Sequence, residues 1–145
     1  MSQSSRVDPR GLRFGAAITS AVLALSFLSS SPWNVVLLGL QAVIFALGAF
    51  GSLQRAPYGL LFSRFVRPRL GAPTETEDSR PPQFAQLVGL AFVVVALLGF
   101  LTGATVVGLI ATAFALVAAL LNATVGFCLG CETYLLVRRL TPVKA

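Results

Sequence analysis

The sequence predicts a small all-α membrane protein, with four transmembrane helices arranged as two helical hairpins joined by a cytoplasmic, amphipathic and acidic linker. Three observations lead there. Only 11% of the 145 residues are charged and 56% are hydrophobic, whereas soluble domains carry about 25% charged residues. The chain lacks the polar surface to cover a water-soluble globule, and a mean hydropathy of +0.84 agrees. The apolar residues also run continuously instead of alternating, which argues against barrel strands. Finally, the basic residues behind the net charge of +6 sit only between and beyond the apolar runs. That is the signature of the positive-inside bias, so the charge signals orientation in a lipid bilayer and not a nucleic-acid partner.

The first span is expected near residues 12–30. Arg6, Arg10 and Arg13 precede it against Asp8, and Phe14 to Ser30 is apolar with small residues. A basic start, an apolar core and Ser29-Ser30-Ser31 also imitate a signal peptide; we expect a retained transmembrane helix. Pro32 breaks the run and suits the first turn of a second helix, where its missing N–H is harmless. Trp33 fits an interface anchor. That helix is expected over 32–53, with Gly39, Gly48 and Gly51 allowing close helix contacts. Gln41 is polar at mid-span, and an interhelical hydrogen bond is favoured over a transport role.

The linker, 55–83, is the only long polar segment. It opens on the turn signal Ala56-Pro57-Tyr58-Gly59. From Leu60 to Leu70, Leu61, Phe62, Phe65 and Val66 interleave with Arg64, Arg67 and Arg69. This predicts a short helix on the membrane surface with its arginines near lipid phosphates, ended by Pro68. The run from Gly71 to Pro82, with Glu75, Glu77 and Asp78, reads as a solvated connection or as a docking surface for a cytoplasmic partner.

Phe84 to Leu121 is almost unbroken apolar sequence. As one helix it would be roughly 57 Å long, against a hydrocarbon core of about 30 Å. The break belongs at Thr102-Gly103-Ala104-Thr105, giving spans near 84–102 and 104–127 and a C-terminal helical extension over 128–140. Both hairpin tips are uncharged, and all basic residues fall in the N-terminal segment, the linker and the C-terminal end. These three regions are expected in the cytoplasm, giving a multi-pass inner-membrane protein with both termini inside.

The chemistry-bearing stretch is Gly126-Phe127-Cys128-Leu129-Gly130-Cys131-Glu132. About 20 residues from Thr105 cross the hydrocarbon, which puts Cys128 and Cys131 at the headgroup level. On an unbroken helix the two cysteines share a face, and Glu132 beside Cys128 opposes thiolate formation. If the helix breaks at Gly126, the cysteines open a new helix, whose N-terminus favours the thiolate. Four readings compete. In the first, Gly126 and Gly130 form a packing seam with Ala111, Ala115, Ala119 and Asn122, the cysteines being small fillers. Cys128 and Cys131 are also a candidate catalytic dithiol that exchanges electrons or carries persulfide sulfur. They are half of a four-thiolate metal site in a dimer. Last, Asn122 and Gln41 are pathway groups of a small transporter. A permanent structural disulfide is not expected on a cytosolic face. The chain has no histidine, no Gly-rich phosphate loop and no paired buried carboxylates, so nothing points to a hydrolase or phosphotransferase. No cofactor or metal is expected within one chain.

Several stretches together resemble a bacterial membrane family, best represented in actinobacteria, catalogued as domain of unknown function 4395. They are Val7-Asp8-Pro9-Arg10, Pro57-Tyr58-Gly59-Leu60-Leu61-Phe62, Val66-Arg67-Pro68-Arg69-Leu70-Gly71, Arg80-Pro81-Pro82-Gln83-Phe84-Ala85-Gln86 and the cysteine stretch. They are spread over nearly the whole chain. The resemblance implies a four-helix inner-membrane protein and transfers no catalytic residue. It also implies a thioredoxin-like or sulfurtransferase partner, since such proteins occur near members of the family. The sequence therefore supports a thiol redox or sulfur-relay component; the alternative is a non-catalytic accessory subunit of a larger membrane complex.

Overall fold

The computed structural model describes residues 6–141; Lys144, part of the basic C-terminal end, lies outside them. Among the described residues, four helices are long and apolar enough to cross a membrane: α1 (Pro9–Leu28), α2 (Trp33–Phe50), α5 (Arg80–Leu101) and α6 (Thr105–Val125). Between α2 and α5 come α3 (Pro57–Leu61), a π-helical turn (Phe62–Val66) and α4 (Arg67–Leu70); α7 (Leu129–Leu140) follows α6. Two two-residue strands, β1 (Arg6–Val7) and β2 (Glu77–Asp78), pair antiparallel.

Helix ends differ from the sequence reading where caps were overlooked. α1 starts at Pro9 and not near 12, because the Asp8 carboxylate accepts the Arg10 backbone N–H and Pro9 occupies the first turn, a favourable start for a helix. α5 starts at Arg80 and not at 84, with Pro81 and Pro82 in its first turn. Pro32 does the reverse: it precedes α2, after a cis Ser31–Pro32 bond.

The linker corrects a second expectation. Pro68 does not end the surface helix, which runs without interruption from Pro57 to Leu70. Pro68 has no N–H for an α-helical bond. The π turn just before it widens the helix, with the Arg67 N–H reaching Phe62 O, so the chain continues past the proline. Phe62 is the buried residue of this segment, its ring 5.8 Å from that of Phe14. Leu61, Arg64, Phe65, Arg67 and Arg69 stay exposed.

The long helices close a ring. α1 packs on α2 and α6, and α5 packs on α2 and α6. Leu23, Leu38, Phe45, Val93, Ala96, Ala111 and Ala115 form the core. Most of it lies in the half of the bundle nearer the uncharged tips. There α5 and α6 come into backbone contact: a Cβ on Gly99 would lie 2.7 Å from Gly108 N. Gly103 turns the tip at φ +86. Outward faces carry Val36, Leu40, Val43, Leu98, Ile110 and Val117, all more than half exposed. A bilayer solvates such a surface; water would not.

Gln41 forms the interhelical bond expected of it. It is fully buried and its Nε2 donates to Thr19 Oγ1 on α1 at 3.4 Å. A second partner comes from the linker, whose Tyr58 hydroxyl donates to Gln41 Oε1 at 2.7 Å.

Candidate functional site: a disulfide at the mouth of a membrane cavity

α6 ends at Gly126, which adopts φ +74 in the left-handed region, a conformation that glycine takes without steric cost. The two carbonyls just before this end, Ala123 O and Thr124 O, accept from Arg13 Nη2 at 3.2 and 2.9 Å. A guanidinium from α1 thus meets the negative end of α6. The chain then turns, and Cys128 becomes the N-cap of α7, its Sγ accepting the Cys131 N–H at 3.1 Å.

The helix therefore breaks at Gly126, and the two cysteines open a new helix. Cys128 and Cys131 are joined as a disulfide, with their Cα atoms 5.1 Å apart. Both are half-buried. Glu132 follows in the first turn of α7.

α7 folds back onto α5. A Cβ on Gly130 would lie 2.6 Å from both Cα and Cβ of Ala85, so this glycine is where the helices touch. The rings of Tyr134 and Phe84 pack at 5.6 Å. The packing seam imagined from sequence is thus divided. Ala111 and Ala115 are in the core, Gly130 packs on α5, and Gly126 is a turn.

In the half of the bundle nearer the charged end, the four long helices enclose a cavity of about 1000 Å³ instead of a core. Cys128 and Cys131 line it, together with α1, α2, the linker, α5 and α6. The α6 wall is the stripe Ala115, Ala118, Ala119 and Asn122, one helical face by its spacing. Ala115 lies ten residues before the end of α6 at Val125, about 15 Å along the axis. The cavity thus runs from the charged end to the middle of the span. Its deep wall includes Phe45, Phe92 and Phe114, the last two with ring centroids 6.2 Å apart.

Hydrogen bonds and ion pairs tie the elements around the mouth to one another. Arg10 pairs with Asp8 at 2.9 Å and also donates to Gly71 O at 2.9 Å. This guanidinium holds the Asp8 carboxyl below the usual carboxylate range. Gln54 Nε2 donates to Arg6 O at 2.7 Å, and Gln83 Nε2 to Gly51 O at 2.9 Å. Arg80 pairs with Asp78 at 2.7 Å and depresses that carboxyl likewise.

Of the residues singled out from sequence, Cys128 and Cys131 come together at the mouth and Arg67 lines it. Arg64 and Arg69 do not; they stay on the exposed linker helix. Asn122 is a cavity residue, whereas Gln41 is locked in its hydrogen bonds. Arg13 and Gln86 were missed, because no local pattern marks a side chain that reaches a helix end 110 residues away.

Nothing matches this chain among curated proteins or among solved structures. The family model described as a domain of unknown function, DUF4395, matches residues 7–139, and the chain belongs to that family.

Proposed function

We propose that this protein is a thiol–disulfide exchange component of the inner membrane, with its charged end and both termini in the cytoplasm and Cys128–Cys131 as its working pair. The observation that carries the reading is the position of Cys128 as N-cap of α7. A partner thiolate attacks Cys131 Sγ, the S–S bond breaks, and the electron pair leaves on Cys128 Sγ. That negative charge is met by the Cys131 N–H, already 3.1 Å away, and by the positive end of a 12-residue helix. The partner's second thiol then displaces Cys131. The partner leaves as a disulfide, and its two protons end on Cys128 and Cys131.

The partner's chemistry is that of a thioredoxin-like protein with two thiols. The uncharged hairpin tips and the charged opposite end support the orientation through the positive-inside bias.

The test is a trapping experiment in native membranes. Run in reverse, Cys131 attacks an oxidised partner, and Cys128→Ser removes the thiol that resolves the resulting mixed disulfide on Cys131. It should accumulate a higher-mass species that disappears on reduction and is absent from the double serine variant. If no such species forms, and both native thiols resist alkylation after reduction until the protein is denatured, the reading is wrong and the cysteines are packing residues.

A further inference from the structure

We infer that the cavity binds a lipid-soluble quinone, which reoxidises the Cys128–Cys131 dithiol. This rests on the thiol-exchange reading and adds to it the substrate of the second half-reaction. Exchange with a partner leaves a dithiol, and the cycle closes only if two electrons leave it. The observations about the cavity select the acceptor.

Size and shape come first. About 1000 Å³ is at the upper end of small-molecule sites, which run to roughly 1,000 Å³, and the space is long instead of round. Its deep part is aromatic and aliphatic, with Phe45, Phe92 and Phe114 on the wall. That suits a ring carrying an isoprenoid tail.

Polar groups come second. The side-chain amides of Gln86 and Asn122 both line the cavity, and neither makes a hydrogen bond to the protein among the described residues. Arg13 lines it as well, with its Nη2 bound to the end of α6. Carboxamide N–H groups are the donors that a neutral carbonyl needs.

Charge comes third. Asp8, Glu77, Asp78 and Glu132 line the mouth against Arg13 and Arg67. Arg10 and Arg80 pair with Asp8 and Asp78, which leaves Glu77 and Glu132 against Arg13 and Arg67, so the mouth has no net positive charge to draw a phosphate headgroup although the chain as a whole is basic. The ligand that fits is neutral, carbonyl-bearing and amphipathic.

The step balances. Two thiols lose two electrons and two protons, and one S–S bond forms. The quinone gains both electrons and both protons, and its two carbonyls become hydroxyls. The products are the observed disulfide and a hydroquinone.

The full-length protein is purified in detergent, reduced, freed of reductant and mixed with a decyl-substituted benzoquinone whose other ring positions are all blocked. Blocking prevents addition of a thiol to the ring. Disulfide formation is read by alkylation, and hydroquinone by absorbance. Binding is read separately in the C128S/C131S double variant by titration calorimetry. The inference predicts saturable binding in the double variant and reoxidation that saturates with quinone in the native protein.

Ala118→Phe, which fills the cavity, should weaken binding and slow reoxidation by about tenfold or more; Asn122→Leu should do so with no added bulk. Thermal unfolding confirms that each variant folds. Reoxidation that rises linearly with quinone and is equal in the filled variant would place the reaction outside the cavity and overturn the inference. So would binding without oxidation, or tight co-purified phospholipid that quinone does not displace. If the native pair exchanges with a small dithiol but quinone neither binds nor oxidises, the quinone site falls and the exchange reading stands. If the pair fails to exchange with any dithiol, the exchange reading itself has failed.

Discussion

Gln41 and Tyr58 carry the residue-scale lesson. A carboxamide at mid-span must find partners inside the protein, because lipid offers none. The spacing on α2 made an interhelical bond foreseeable, but only half of the network was legible. Thr19 is on the neighbouring helix, where a partner would be sought. Tyr58 belongs to the linker, read from its Pro and Gly neighbours as a turn, and only the folded path brings its hydroxyl to 2.7 Å from Gln41 Oε1. Removing that hydroxyl leaves the oxygen of a fully buried glutamine without a donor. Tyr58→Phe should therefore cost about 1–3 kcal/mol of stability, measured by unfolding in mixed micelles. Gln41→Leu should cost less than the sum of separate losses, because the buried carboxamide is itself removed and only the Thr19 and Tyr58 hydroxyls lose a partner. An unchanged stability in Tyr58→Phe would show that the bond is not made in the membrane.

At the scale of elements, hydropathy made the existence of the four spans plain and left their ends uncertain. The ends were set by small signals that hydropathy averages away. Asp8-Pro9 starts α1 within a polar stretch, and Pro81 and Pro82 lie in the first turn of α5. The break at Gly126 was one of two open readings. Side-chain spacing cannot distinguish a helix that continues from one that restarts three residues later.

The linker shows the opposite error. In sequence Pro68 signals a stop, yet a π turn carries the helix past it. This lengthens the surface helix and keeps Arg64, Arg67 and Arg69 beside exposed Leu61 and Phe65. A peptide spanning Pro57–Leu70 should bind vesicles containing anionic lipid. Each arginine near such a surface contributes about 1 kcal/mol, so binding should fall steeply as salt is raised. Equal binding to neutral vesicles would remove the electrostatic part of this account.

The whole molecule divides along the membrane normal into a packed half and a hollow half. The packed half was legible in outline, since Gly99 and the alanines of α6 announce close contacts. The cavity was not. A stripe of small residues reads the same whether a neighbouring helix fills the space beside it or nothing does. Ala115 is in the core, and Ala118 and Ala119 line the cavity three and four residues further on. What leaves the space open is the linker and α7, which close around the charged end without filling it.

We propose that the thiol pair at this charged end faces the cytoplasm, within reach of a soluble partner. The chain has two cysteines, so the native protein reports on itself. The direct measurement is labelling by a membrane-impermeant maleimide, in intact cells and in inverted membrane vesicles, with and without prior reduction. We predict labelling of Cys128 and Cys131 in inverted vesicles after reduction, protection when the pair is oxidised, and no labelling in intact cells. Labelling from outside intact cells, or none from either side until the protein is denatured, would contradict the account.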